Sequence, residues 1–433
     1  MTVFTPARLM EPFGGPVDAI VRVPGSKSFT NRALVCAALA EGTSTLEEVL
    51  GSDDTEAMFG CLDTLGIAVD HDSTHHRAIV AGSAGAPRRH GVVLDVRQSG
   101  TTARFVTPMA ALGSGRYVID GHPQMRKRPM GDLIRALTDL GVHLDAADRL
   151  PLTLDAVGVR GGRVEISGTA SSQFLSGLLL SAACFAEGLT VQVQGDLVSK
   201  PYVDMTIATM RAFGASIDRR DYSWFRVEPT GYRACCYRIE SDASAASYFF
   251  AAAAITGGRV RVEGLGRDSL QGDIEFVDIL EAMGCVVQRS AGATTVEGPE
   301  QLRGIDVDMR NCSDTAQTLA AVAVFADGPT RVGGIGFIRR KETDRIAAVV
   351  RELNRCGIDA AEETEGFRIH PGVPSPSDVE TYDDHRMAMS FALLGLRAPG
   401  IVICNPGCVA KTFPDYFEVL ETLRPTALAR DAR

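Results

Sequence analysis

Thr64–Asp70 reads TLGIAVD, and its cadence returns as DLGVHLD at Asp139–Asp145, AFGASID at Ala212–Asp218, AMGCVVQ at Ala282–Gln288 and RCGIDAA at Arg355–Ala361. Each is an apolar helix end, a glycine and then a strand-like segment. The glycines Gly66, Gly141, Gly214, Gly284 and Gly357 are separated by 75, 73, 70 and 73 residues. Glycine is expected where a helix stops in a left-handed conformation before a strand. A second marker keeps the same beat. EGTSTLEEV, SGRYVIDG, EGLTVQVQG, GGRVRVEG, DGPTRVGG and PGIVICNP read as turns entering short strands, with glycines at 42, 115, 188, 258, 328 and 400.

Six copies of one α/β unit follow from this period. Each reads as a polar cluster, an apolar helix, a glycine turn and strand, a polar loop, a second helix, a glycine cap and another strand. Units of about 70 residues are too long for a solenoid but suit threefold packing within each of two domains. Three units per domain put the chain crossings near Pro24 and Ser241. One expected domain is therefore 1–24 plus 241–433, containing both termini, with 25–240 inserted into it. The sixth copy runs out of chain after YFEVLETL, so the alternating stretch VDAIVRV, Val17–Val23, is expected to supply its missing strand.

Composition narrows the function classes. The chain has 433 residues, 45% hydrophobic and 23% charged, enough for large cores without a disorder signature. Its longest apolar stretches, LSGLLLSAACFA and AASYFFAAAAI, fall short of the roughly 18 residues of a membrane span and read as buried helices. The N-terminal stretch has no secretory pattern, so a cytoplasmic location is expected. Ten scattered cysteines without a C-x-x-C pair suit reduced thiols. The HDSTHH stretch, His71–His76, reads as a solvated loop, and no metal site is expected. A net charge of −10 argues against a general nucleic-acid surface, so an anion site would need a local concentration of Lys and Arg.

That concentration is present at the helix entrances. GSKSFTNR, QSGTTAR, TASSQF, ESDASAAS, NCSDTAQT and YDDHRMAM occupy one position of the repeat. SDDTEAM, QMRKRPMGD, LVSKPYVD, GRDSLQGD, RRKETDR and VAKTFPDY occupy another. They bring Lys27, Arg32, Arg104, Arg128, Lys341, Arg345, Arg386 and Lys411 to equivalent helix starts, where free N–H groups already favour anions. Each one alone is explained as a capping or solvated residue. As a set, facing each other from two domains, they point to anionic ligands, because desolvating many cations together is costly without anions to pair with them. Asp314 and Glu342 lie among them as candidate general acid and base, although acidic residues also favour helix starts for dipole reasons alone. There is no Walker A spacing, G-x-S-x-G elbow, H-E-x-x-H or full G-x-G-x-x-G.

Over nearly its full length the chain resembles the 5-enolpyruvylshikimate-3-phosphate synthases of the enolpyruvyl transferase family. PGSKSFTNRAL, SGTTARF, RKRPMGDL, SSQFLSGLL, SKPYVDMT, SDASAASYF, KETDRI, DDHRMAM and AKTFPDYF appear in the family's order. The resemblance implies an inside-out α/β barrel fold, with six βαβαββ repeats, three per domain, and an active site in the cleft between domains. It implies transfer of the enolpyruvyl group of phosphoenolpyruvate to the 5-hydroxyl of shikimate 3-phosphate, with no metal or organic cofactor. The residues matching those that hold shikimate 3-phosphate are Lys27, Ser28, Arg32, Ser171, Ser172, Gln173, Ser199, Tyr202, Asp314 and Lys341. Those matching the phosphoenolpyruvate site are Lys27, Gly100, Arg128, Gln173, Arg345, Arg386 and Lys411. Asp314 is expected as base and Glu342 as acid, assisted by Lys27, His385 and Lys411. At Gly100 a side chain would intrude on the donor or on a slightly longer mimic such as glyphosate. Phe337, Gln98 and Phe105 depart from the family's usual asparagine, asparagine and proline. A paralogue acting on a related cyclitol phosphate stays open. An enzyme acting on UDP-N-acetylglucosamine fits less well, because that sister carries asparagine after the first lysine and a reactive loop cysteine. Small-molecule substrates, no nucleic acid, no membrane and a monomer are expected.

Overall fold

The computed structural model describes residues 6–145, 148–169 and 171–425. The chain divides into two compact units, one running from Gly25 to Glu240 and the other joining the N-terminal residues through Pro24 to the chain from Ser241 onward.

In the Gly25–Glu240 unit the helices Lys27–Leu39, Gly100–Ala111 and Ser172–Ala182 pack on one another. Nearly every residue of the three is buried, polar ones included. A helix buried on all sides belongs to an interior layer. The strands, by contrast, alternate buried and exposed positions, as in Thr43–Glu47, and so form the outer layer. Three four-stranded sheets share one topology, in which a parallel pair is extended by two antiparallel strands. In the third, Gly162–Ser167 runs parallel to Leu189–Gln194 with Gly162 opposite Leu189. Trp224–Val227 then pairs antiparallel with that strand and with Ile217–Arg220. The second helices of the repeats, Asp53–Thr64, Gly131–Asp139 and Pro201–Ala212, complete the unit. The first sheet takes its parallel partner from the far end of the unit, where Cys236–Arg238 pairs with Thr43–Glu47.

The other unit repeats this plan with the interior helices Ala243–Thr256, Ala316–Ala323 and His385–Ala392. Its second helices are Phe276–Ala282, Arg345–Arg355 and Tyr416–Glu421. One hydrophobic cluster fills each unit, with Phe249 and Tyr416 in contact in this one and Phe105 and Phe174 buried in the other. Each such side chain contributes about 1.5–3 kcal/mol by leaving water.

The five glycines that set the period all take left-handed φ, between 77° and 106°. Each closes its helix with the same pair of bonds: Gly66 N–H donates to Asp63 and Ile67 N–H to Leu62, and the pattern recurs at Gly141, Gly214, Gly284 and Gly357. The expectation for the sixth copy needs correction. Ala7–Met10, not Val17–Val23, pairs antiparallel with Ile401–Cys404 of that copy. Asp18–Arg22, within VDAIVRV, instead runs parallel to Arg259–Glu263 and opens the sheet of the fourth copy. Alternation correctly marked that stretch as a strand, but a period-2 pattern carries no information about which sheet receives it.

Candidate active site

In the unit from Ser241 onward, the three interior helices begin in equivalent ways. The Asp242 side chain caps its helix at the Ala245 N–H, and the Asp384 side chain caps the next at the Arg386 N–H, 2.9 Å in each case. Two residues beyond the respective caps stand Ser244, Asp314 and Arg386. These three meet: Arg386 Nη2 is 2.8 Å from Asp314 Oδ2 and 3.4 Å from Ser244 Oγ. Arg345, first residue of its helix and 1% exposed, reaches three carboxylates. Its Nε donates to Asp384 at 2.8 Å, Nη1 to Asp314 at 3.0 Å and Nη2 to Glu342 at 2.8 Å. Burial by itself would favour losing the guanidinium proton. Asp384, Glu342 and Asp314 more than offset it and raise the Arg345 pKa. Lys341 Nζ lies 3.8 Å from Asp314, His385 Nδ1 3.6 Å from Asp384, and Lys411 is 5% exposed at the end of the Pro406–Lys411 turn.

Two of these carboxylates were not singled out from the sequence. Asp384 is fully buried and holds Arg345 while capping its own helix; its signal was an acid at a cap position beside a basic cluster. Asp273, 5% exposed, accepts a short hydrogen bond from Ser244 Oγ. Burial, with Asp314 nearby, pushes its pKa up to about 7. The expectation of cations left without counter-charges is therefore corrected within this unit. Its own acids already pair them, so an arriving anion exchanges partners rather than meeting bare charge.

In the Gly25–Glu240 unit, Lys27 Nζ is 3.2 Å from Asp54 Oδ2, another acid missed in the sequence. Gln173 accepts from Arg104 Nη1 at 2.5 Å and donates to Thr101 at 3.2 Å. Gly100 opens its helix directly beneath Arg128, and a Cβ built on it would lie 2.6 Å from Arg128 Nη1. Ser171 caps the Ser172–Ala182 helix, and Ser199 takes a left-handed φ of 54° just ahead of the helix bearing Tyr202.

Arg32 differs from the other cations. It is 1% exposed, faces no carboxylate in an ion pair among the described residues, and donates to Thr206 Oγ1 at 2.8 Å, Tyr202 O at 2.9 Å and Ser28 O at 2.9 Å. Burial lowers its pKa to about 10. Its guanidinium lies 5.3 Å from the centroid of Phe105, which gives that departure from the family pattern a packing role. Phe337, which lies in the unit from Ser241 onward, likewise packs on the core of its own unit. The structure thus groups Asp314, Lys341, Glu342, Arg345 and Arg386 in one unit. In the other it brings Gly100 to Arg128, Gln173 to Arg104, and Lys27 to Asp54, whose carbonyl is 3.3 Å from the Thr102 hydroxyl.

The sequence profile described as EPSP synthase (3-phosphoshikimate 1-carboxyvinyltransferase) matches residues 13–420. The 3-phosphoshikimate 1-carboxyvinyltransferase of Trichormus variabilis is 48% identical over 406 residues, covering 93% of this chain and 95% of that protein. The enzyme of the same name from Yersinia pseudotuberculosis is 42% identical over 419 residues, covering 95% and 97%. Among solved structures, EPSP synthase from Acinetobacter baumannii aligns with a TM-score of 0.83 at 25% identity, covering 97% of this chain and 98% of that one. The enolpyruvyl transferase NikO from Streptomyces tendae, at 19% identity and a TM-score of 0.76, shares the fold. With the profile spanning nearly the whole chain and relatives at this identity, the chain belongs to the EPSP synthase family, the 3-phosphoshikimate 1-carboxyvinyltransferases.

Proposed function

We propose that this protein transfers the enolpyruvyl group of phosphoenolpyruvate to the 5-hydroxyl of shikimate 3-phosphate and releases phosphate. The observation that carries the reading is the buried cluster in which Arg345 and Arg386 hold Asp314, and Arg345 holds Glu342, at adjacent helix starts. It supplies two carboxylates in fixed positions among cations suited to phosphate and carboxylate groups.

Asp314 takes the proton of the 5-hydroxyl as its oxygen attacks C2 of the donor. Glu342 gives a proton to the donor's methylene carbon, which becomes a methyl group in a tetrahedral adduct. Elimination then reverses the second transfer: a methyl proton returns to the protein, the C2–phosphate oxygen bond breaks, and phosphate leaves. Lys27, His385 and Lys411 assist these proton movements and stabilise charge. Gly100, Arg128, Gln173, Arg345, Arg386, Lys411 and Lys27 hold the donor. Lys27, Ser28, Arg32, Ser171, Ser172, Gln173, Ser199, Tyr202, Asp314 and Lys341 hold the acceptor, with Arg32 acting through the Tyr202 segment that it fastens.

The test is phosphate release from phosphoenolpyruvate with shikimate 3-phosphate, run beside UDP-N-acetylglucosamine as acceptor. Release with the first and not the second supports the assignment; the reverse overturns it.

A further inference from the structure

The residues just before Arg386 adopt a backbone that L-residues avoid. Tyr382 and Asp383 both have φ of 55°, consecutive left-handed positions without a glycine, and Asn405, just before the turn that ends in Lys411, has φ of 49°. Such conformations persist only where surrounding contacts impose them. The contacts are visible. Glu352 is fully buried, and the Tyr382 hydroxyl donates to its Oε1 at 2.5 Å. Its Oε2 accepts from the Glu380 N–H at 3.0 Å, and Arg355 donates to both of its oxygens. Arg351 Nη1 lies 3.3 Å from the same Tyr382 hydroxyl. Glu352 stands seven residues after Arg345 on one helix, so the two share a face. One end of that face grips Asp384 and the other grips Tyr382. From the opposite side, Asn405 Nδ2 donates to Asp383 Oδ1 at 2.6 Å, and Thr381 Oγ1 donates to Cys404 O at 3.0 Å.

We propose that Tyr382, Asp383 and Asn405 form a brace that fixes the two strained turns to each other and so presents Arg386 and Lys411 to the donor as one unit. These are positioning residues, acting through Arg386 and Lys411, and the proposal rests on the donor-binding role proposed for those two. The geometry favours this over stabilisation alone. Asp383 is exposed, and its bond to Asn405 joins the segment that opens the helix bearing Arg386 to the start of the turn that ends in Lys411.

Asp383→Ala and Asn405→Ala remove the link. Each should raise KM for phosphoenolpyruvate about tenfold, as weakening one charge-assisted contact does. KM for shikimate 3-phosphate and kcat should stay within about threefold. The double variant should be no worse than the poorer single one, because both break the same contact. Asp383→Asn keeps an oxygen acceptor and tolerates a left-handed φ, so it should restore a donor KM near that of the unaltered protein. Tyr382→Phe, which keeps the ring and loses the bond to Glu352, should raise the donor KM in the same way. An unchanged donor KM in Asp383→Ala, equal rises for both substrates, or an Asp383→Asn variant as impaired as Asp383→Ala would overturn the brace while unaltered protein still turns over. Unaltered protein that releases no phosphate overturns the function and the brace together.

Discussion

Gly100→Ala tests the donor site through one methyl group. The new Cβ would lie 2.6 Å from Arg128 Nη1, 2.7 Å from Cζ and 2.8 Å from Nη2. Ordinary non-bonded contact is about 3.5 Å, so the guanidinium must retreat by about 0.7–0.9 Å. The obstacle is the end of a flexible side chain, and alanine is a better helix former than glycine, so stability should hold or rise slightly. The cost falls on binding. A charge-assisted hydrogen bond of about 2.8 Å stretched by that amount passes out of the useful range, and one such bond contributes about 1.5–3 kcal/mol. The expected rise in KM for phosphoenolpyruvate is therefore about 10- to 150-fold. At saturating donor, kcat should change by less than about threefold. Glyphosate, a slightly longer mimic of the donor, should inhibit competitively with phosphoenolpyruvate and lose more affinity than the substrate. Steady-state kinetics with each substrate varied in turn, together with thermal melts, give the readouts. An unchanged donor KM, or an equal rise for the acceptor, would refute the placement of the donor against Arg128.

Asp314→Asn and Glu342→Gln should each lower kcat by about 10²- to 10⁴-fold with modest changes in KM; near-normal turnover in both would remove them as acid and base. Asp384→Ala leaves the buried Arg345 Nε without its carboxylate, costing about 3 kcal/mol, the lower end of the range for breaking a buried pair, because Glu342 and Asp314 remain. That is a loss of about 6–12 °C in Tm for a unit of this size, and an unchanged melt would contradict the pairing. Asp273 takes up a proton on folding between the ordinary carboxylate value of 3.8 and about 7, so through this group stability falls as pH rises across that window. Asp273→Asn lacks that loss, and its stability relative to the unaltered protein should be higher at pH 8 than at pH 4; a pH-independent difference would contradict the buried placement of the charge.

The sequence carried the repeat because each copy ends a helix the same way, and only glycine satisfies the left-handed cap at Gly66, Gly141, Gly214, Gly284 and Gly357 at no steric cost. It carried the positions of the cations because they fall in or beside the polar clusters that recur at the helix entrances of the repeat. What it could not carry was pairing between distant segments. Ala7–Met10 is four residues long with no marked alternation, yet it closes the sixth sheet. Asp384, Asp54 and Asp273 read as ordinary helix-start acids until the fold sets them against Arg345, Lys27 and Ser244. Arg32 shows the converse. Its place in GSKSFTNR resembles that of Lys27, but one turn further along the helix it points into the interior and fastens Thr206 and Tyr202.

The central claim is that Asp314 and Glu342 carry out addition followed by elimination on an enolpyruvyl group, and its most direct test is the reaction run in deuterium oxide. If Glu342 protonates the methylene carbon, a transient methyl group forms and solvent deuterium enters the vinyl position of the product. Proton NMR and mass spectrometry of the product made from phosphoenolpyruvate and shikimate 3-phosphate read this out. The account predicts vinyl deuterium in the 5-enolpyruvyl product of the unaltered protein, with both product and exchange reduced together in Glu342→Gln. Product carrying only protium at the vinyl carbon, or no product from shikimate 3-phosphate, would contradict it.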